Sequence, residues 1–275
     1  MISVLEIIQL AYQIPSMILM ILSVYVIITE IKNKNAHLNT QFYSIIVCKL
    51  SNEIIYNINV FIFVVLPKWG FYNNFLKNHD WTATLYYVLE TQQTTFMFLI
   101  TLLVSINRYV AVKYPLLYKY YFLKSKIVII LLSFIILSTI IGLGNIFFNA
   151  KYMKNNLFDY IIPSFKSENA FYYQIFYQIF LFGIISIATC TFNVIAILTL
   201  KKYNQIGNKY KKELNYTIYS IFIFITLFLV EILYVCNIIA IKYDIISFIY
   251  TIYFFYDVAL DITSFGDFYF LIYSS

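Results

Sequence analysis

Residues 126–148 read KIVIILLSFIILSTIIGLGNIFF, an unbroken run with one charged side chain, Lys126. A membrane-spanning helix needs about 20 mainly apolar residues, so this stretch alone predicts a helix that crosses a bilayer. A transmembrane β-strand would instead show about 10 residues of alternating polarity, and this run does not alternate. The stretch therefore predicts an α-helical membrane protein.

Six comparable runs lie on either side of it. The seven predicted spans are 7–29, 41–66, 82–107, 126–148, 174–200, 216–240 and 247–272. The rest of the chain suffices only for six loops and two tails, so we predict a single domain over residues 1–275, an all-α membrane protein built as a seven-transmembrane helix bundle. The composition agrees, because 62% hydrophobic and 12% charged residues exclude both a soluble domain and a disordered chain.

The basic residues indicate which way the chain crosses the lipid bilayer, because cytoplasmic loops are rich in Lys and Arg. One set of predicted loops contains twelve of the 19 basic residues: Lys32, Lys34, Arg108, Lys113, Lys119, Lys124, Lys126, Lys201, Lys202, Lys209, Lys211 and Lys212. The alternate set contains six: Lys68, Lys77, Lys151, Lys154, Lys166 and Lys242. This asymmetry predicts an N-terminus outside and a C-terminus inside.

The sequence contains none of the patterns that mark catalysis. It has no His/Cys/Asp cluster with metal spacing, no phosphate-binding glycine loop and no nucleophile elbow. We therefore predict that the protein is not an enzyme, has no metal or other cofactor and has no nucleic-acid partner. The three cysteines all fall within predicted spans, so no disulfide is expected in an external loop.

Ionisable residues inside the predicted spans are functional candidates, because each costs several kcal/mol unless it is paired or hydrated. There are seven: Lys49, Glu53, Glu90, Glu231, Asp257, Asp261 and Asp267. Lys49 and Glu53 are four residues apart on one helical face, so we expect them to neutralise each other. Lys49 also lies near enough to the predicted cytoplasmic end to reach the headgroups.

Four of the remaining five carboxylates are candidates for binding a ligand: Glu90, Glu231, Asp257 and Asp261. Asp257 and Asp261 share a helical face, so they are a partly protonated pair, face a hydrated cavity, hold a cation or bond between helices. Glu90 precedes Arg108 by 18 residues, which is five helical turns and about 27 Å along the axis. We therefore expect a third helix with a ligand end and a signalling end.

The third span ends in Asn107–Arg108–Tyr109, and Pro115 follows Arg108 by seven residues. This pattern resembles the acid-Arg-Tyr motif and later Pro of rhodopsin-like G-protein-coupled receptors. Together with residues 41–43, 66–70 and 114–115, it makes the chain similar to nematode serpentine chemoreceptors, nearest to class gamma (Srg). The Asn-Arg opening is typical of those families.

The resemblance implies a chemosensory receptor of the plasma membrane that detects a small molecule (an odorant, a pheromone or an amine) and activates a heterotrimeric G protein. The coupling residues it implies are Asn107, Arg108, Tyr109, Pro115, Lys201, Lys202, Lys211 and Lys212. The further resemblance of Glu90 to the acid of aminergic receptors would make it a counter-ion for a cationic ligand.

The sequence departs from the wider rhodopsin-like pattern at two places. Ala83 stands where that family places the Cys that ties the outer end of the third helix to a loop, and loop 149–173 contains no Cys. Asn107 cannot form the ion pair that an acid makes with the neighbouring Arg, so we expect weaker locking of the inactive state and raised basal activity.

A transporter or ligand-gated channel is the alternative class. It would use Glu53, Glu231, Asp257 and Asp261 to carry ions or protons. The sequence shows no convincing internal repeat, although secondary transporters commonly have one.

Overall fold

The computed structural model describes residues 4–33, 40–154, 160–202, 207–243 and 245–274. Within them the chain forms seven long helices. Their bounds are Val4–Lys32 (α1), Thr40–Val60 with continuations Phe61–Val65 and Leu66–Lys68 (α2), Trp81–Lys113 (α3), Lys124–Leu143 with a 3-10 turn Gly144–Phe148 (α4), Asn169–Gln174, Ile175–Leu181 and Phe182–Lys202 (α5), Gly207–Lys242 (α6), and Ile246–Asp261, Ile262–Gly266 and Asp267–Ser274 (α7). Short helices Asn73–Asn78 and Tyr118–Tyr121 lie in the connections after α2 and α3.

Six of these helices are long and apolar enough to cross a membrane. They correspond to the first six predicted spans: Ile7–Lys32, Gln41–Lys68, Trp81–Lys113, Lys124–Phe148, Asn169–Lys202 and Glu213–Ala240. The seventh predicted span, 247–272, is helical as α7 but is not among these six. The count of seven spans and the direction of the chain across the membrane therefore stay predictions.

A β-hairpin between α4 and α5 is an element that the sequence did not predict. Strands Ala150–Lys154 (β1) and Ile161–Phe165 (β2) pair antiparallel, with Ala150 opposite Phe165 and Lys154 opposite Ile161. We call the end of the bundle that holds this hairpin and the start of α3 the hairpin end, and the opposite end the arginine end.

Helix α3 is the centre of the bundle. It packs against α2, α4, α5 and α6, and most of its residues between Thr91 and Arg108 are buried. At mid-depth the rings of Phe98 in α3 and Phe182 in α5 stack with centroids 4.1 Å apart. Close helix contact also requires Gly142 of α4, where an added Cβ would lie 2.5 Å from the carbonyl oxygen of Val88.

Helices α5 and α7 each contain a π-helical turn, Ile175–Leu181 and Ile262–Gly266. The sequence has no proline within the predicted spans of these helices. Such π-helical turns change the direction of the side chains around them and are frequent at functional sites. They therefore interrupt the regular α-helix in α5 and α7 although no proline is present. The turn in α7 separates the part that carries Asp257 and Asp261 from the part that carries Asp267.

Candidate functional site

A cavity of about 570 Å³ lies inside the hairpin end of the bundle. Its size falls within the range of small-molecule sites, which are mostly apolar with a few convergent polar groups. Residues of α1, α2, α3, α5, α6 and α7 and of β2 line it.

Three of the four predicted ligand carboxylates line this cavity: Glu90, Asp257 and Asp261. Asp261 is hydrogen-bonded across to α1, where its carboxylate accepts from the Tyr12 hydroxyl and, at 2.9 Å, from Gln13 Nε2. Glu90 has no hydrogen bond to any residue in the described part of the chain and is only partly exposed. A carboxyl group in this position would be stabilised by a hydrogen-bonding or charged partner from outside the protein.

The cavity wall also presents tyrosines from five helices, a group that the sequence did not single out. Five of them are Tyr56, Tyr86, Tyr177, Tyr234 and Tyr256. Two of them are bonded to each other, since the hydroxyl oxygens of Tyr234 and Tyr256 are 2.8 Å apart. Sequence analysis cannot distinguish these five among the 28 tyrosines of the chain, because the tertiary structure determines which tyrosines lie on the cavity wall.

The hairpin closes part of the cavity and is attached without a disulfide. The Tyr152 hydroxyl donates to the Phe63 carbonyl oxygen at 2.8 Å, and the Tyr87 hydroxyl donates to the Pro163 carbonyl oxygen at 3.0 Å. Burial raises the pKa of Tyr152, so its hydroxyl remains a donor. These bonds hold the loop in the absence of the cysteine pair that the wider receptor pattern uses there.

Glu231, the fourth predicted ligand carboxylate, does not line the cavity. It accepts a hydrogen bond from the Ser186 hydroxyl at the contact of α6 with α5. Glu53 is likewise absent from the cavity wall. Of the four carboxylates of the transporter alternative, Asp257 and Asp261 therefore share the cavity, whereas Glu53 and Glu231 lie outside it.

A buried ionic cluster lies between the cavity and the arginine end. Lys49 in α2 is paired with Glu53 of the same helix and, at 2.7 Å, with Asp267 in α7. The expected pairing of Lys49 with Glu53 is confirmed. The expectation that Lys49 reaches the headgroups is wrong, because its side chain is 1% exposed and is held by two carboxylates.

Arg108 lies at the opposite end of α3 and is completely buried. Its guanidinium is paired with Glu213 of α6 at 3.2 Å, and its Nε donates to Asn107 Oδ1 at 3.1 Å. Its central carbon is 4.3 Å from the ring centre of Phe42 and 4.9 Å from that of Tyr216, which favours the cation. The expectation of weaker locking did not take Glu213 into account. This residue, 105 positions after Arg108, supplies the acid that Asn107 lacks.

The other residues implied in coupling belong to segments at the arginine end of the bundle. Asn107 is buried and donates to the Tyr118 hydroxyl at 3.0 Å, whereas Pro115 is exposed between α3 and α4. Tyr109 accepts a hydrogen bond from Lys113 at 2.8 Å. Lys201 and Lys202 are exposed in the last turn of α5, and Lys211 and Lys212 lie in α6. The side chains of Lys211 and Lys212 are outside the described part of the structure.

Leu116, beside Pro115, is a feature that sequence analysis missed. Its side chain is 95% exposed, more than any other large hydrophobic residue described. An apolar side chain so exposed at the arginine end, close to exposed lysines, is suited to contact a partner protein.

Comparison with known proteins assigns the chain to a family. No curated protein matches the sequence significantly. The family model for the Srg family chemoreceptors matches residues 6–275, nearly the whole chain. With a bundle of long apolar helices, this match makes the protein a multi-pass membrane protein that acts in signal transduction as a chemoreceptor. The chain belongs to the Srg chemoreceptor family.

Proposed function

We propose that this protein is a seven-helix receptor of the plasma membrane that binds a small ligand in the cavity and activates a heterotrimeric G protein. The observation that carries the proposal is the layout of α3, an uninterrupted helix from Trp81 to Lys113. Glu90 faces the cavity near one end, and Arg108 is tied to α6 near the other. The hairpin end faces outward and the arginine end faces the cytoplasm.

Glu90 is the proposed anchor of the ligand. It projects into a largely apolar cavity, makes no hydrogen bond within the described residues, and has aromatic neighbours that attract cations. A ligand with a cationic group would pair with it and would place its apolar part against the aromatic wall. An amine therefore fits this cavity better than a neutral or anionic odorant of similar size.

Helix α7 is the proposed link between the cavity and the cytoplasmic face. Asp261 and Phe265 line the cavity, and Asp267 beyond the π-turn is bonded to Lys49. A ligand that displaces the first part of α7 changes the geometry of this buried cluster. Ligand binding then shifts the balance between two packing arrangements by its difference in affinity for them.

The arginine end would open when the contact of Arg108 with Glu213 breaks. Release of α6 exposes Arg108 and the pocket around it to a Gα subunit. The exposed lysines of α5 and the apolar side chain of Leu116 complete the docking surface. Mixed apolar and charged character of this kind is typical of transient protein interfaces.

The test is ligand-dependent nucleotide exchange on a promiscuous Gα co-expressed with the receptor. A panel of small amines should include an agonist, and Arg108→Ala should abolish exchange while surface expression stays normal. Leu116→Asp should weaken exchange without changing ligand affinity, and Leu117→Asp is its control at the neighbouring position, which is 48% exposed.

The role of Glu90 is tested separately. Glu90→Gln keeps the shape and removes the charge, so the response to an active amine should fall by at least about tenfold, equal to 1.4 kcal/mol. Glu231→Gln is the matched control, because Glu231 lies outside the cavity. An unchanged dose response in Glu90→Gln would exclude Glu90 from the site, and ion currents or uptake without any G protein would favour the transporter class.

A further inference from the structure

The most exposed residues of the cavity wall lie on α1 and α7. Among the described residues that line the cavity, only Ile14 of α1 and Asp257 of α7 are exposed. On the hairpin side the wall includes Pro163, which is buried beneath the hairpin bond from Tyr87. The least covered part of the cavity wall is therefore the α1–α7 edge and not the hairpin end.

This edge lies at the depth of the membrane. Tyr12 follows the start of the first candidate span, Ile7, by about 7.5 Å at 1.5 Å per residue. The outer face of α1 around it consists of exposed isoleucines, with Ile8 56% and Ile18 54% exposed. Such side chains are in contact with lipid when the helix spans a bilayer.

A carboxylate occupies this lipid-facing edge. Asp261 is partly buried, and its two oxygens accept hydrogen bonds from Tyr12 and Gln13 of α1. Tyr12 is 40% exposed, and its ring meets that of Phe265 edge-on, with centroids 6.4 Å apart. An acid near lipid is costly. The position of Asp261 at the most exposed edge of the cavity wall, one turn from Asp257 and in the same cavity as Glu90, therefore indicates a functional role.

We propose that the cavity is entered sideways from the bilayer, through a portal between α1 and α7 that is latched by the bonds of Tyr12 and Gln13 to Asp261, and that the ligand is an organic cation with an apolar body. Its apolar part partitions into the membrane. Its cationic head exchanges with Tyr12 and Gln13 at Asp261 and then moves inward to Glu90. The identity of the deeper anchor rests on the proposed function, whereas the portal does not.

Cysteine labelling tests the portal without a known ligand and without signalling. The background is Cys48→Ala, Cys190→Ala and Cys236→Ala, and Leu260→Cys places one thiol on the cavity wall. The two probes are a membrane-partitioning phenylmaleimide and a membrane-impermeant sulfonated maleimide, applied to receptors in vesicles. Met153→Cys, at a hairpin position that is 43% exposed, is the control for reagent reactivity.

We expect the phenylmaleimide to label Leu260→Cys at least about tenfold faster than the sulfonated reagent, relative to their rates at Met153→Cys. Tyr12→Phe removes one bond to Asp261 and should speed this labelling severalfold. Tyr87→Phe, which loosens the hairpin instead, should not. Comparable rates for both reagents at Leu260→Cys, or acceleration by Tyr87→Phe alone, would overturn the portal.

The ligand class is tested by protection of the same thiol with three probes of equal chain length: dodecylamine, dodecanol and dodecanoate. Dodecylamine should slow the labelling of Leu260→Cys, and Glu90→Gln should remove that protection. Equal protection by all three would refute the cationic head. If the labelling is lateral but Glu90→Gln leaves the response to an amine unchanged, the role of Glu90 as the deeper anchor is refuted. The portal between α1 and α7 is then still supported.

Discussion

The ion pair between Arg108 and Glu213 joins α3 to α6 at the arginine end, so Glu213→Gln is the most direct perturbation of the proposed switch. The substitution keeps the size of the side chain and removes its charge. Arg108 then retains its contacts with Asn107 and with the rings of Phe42 and Tyr216 but loses its only acidic partner among the described residues. We predict a receptor with raised basal activity.

The magnitude follows from the geometry of the pair. Opposite charges 3.2 Å apart attract by about 5 kcal/mol at an effective dielectric constant of 20. Because Arg108 is buried and Glu213 is 22% exposed, desolvation offsets most of this attraction. A net loss of about 1–2 kcal/mol from the inactive arrangement would raise the ratio of active to inactive receptor by about 5–30-fold.

Two assays measure this change. The first is ligand-free nucleotide exchange on co-expressed Gα at matched surface expression, which should rise. The second does not depend on the G protein: in the cysteine-free background, the distance between spin labels at Lys124 of α4 and Ile218 of α6 should lengthen. Glu30→Gln in α1 is the charge-matched control. If Glu213→Gln left both readouts at their original values, the role of the pair as a lock would be refuted.

Three further predictions concern the stability of the fold. Lys49→Met leaves two buried carboxylates without their cation and should destabilise the protein by about 3–5 kcal/mol, seen as a lower melting temperature in detergent; Glu53→Gln in the same chain should restore part of it. Tyr152→Phe should weaken the attachment of the hairpin by about 1 kcal/mol, and unchanged hydrogen exchange in β1 and β2 would contradict this. Gly142→Ala places a methyl group against the Val88 carbonyl and should cost about 1–3 kcal/mol through separation of α3 and α4, whereas a melting temperature equal to that of the unchanged protein would show that α4 shifts freely.

The spans could be predicted from sequence because lipid imposes one strong requirement on each helix separately, an apolar run of sufficient length. That requirement does not fix where a helix ends in water. Helix α6 begins at Gly207, nine residues before the predicted span at residue 216. This polar extension places Glu213 next to Arg108. The sequence prediction missed Glu213 as the partner of Arg108 because it did not predict the helical turns before residue 216.

The candidate site was predicted only in part. Glu90 was found because an isolated acid in an apolar helix is conspicuous, and its spacing from Arg108 follows from the helical repeat alone. The separation of Glu231 from Asp257 and Asp261 was not predictable, because a helical face indicates a direction and not a neighbour. The hairpin was missed since five-residue strands give a weak signal beside spans of 20 or more residues.

The sequence by itself determined the class of protein, the positions of its apolar helices, the Asn107–Arg108–Tyr109 motif and the small set of acids within the predicted spans. The tertiary structure decided which of these acids bind to what. Lys49 meets Asp267 across 218 residues of chain, and Tyr12 meets Asp261 across 249. Such contacts depend on how helices rotate and pack against one another, and that is set by the sum of many weak contacts and not by any local pattern.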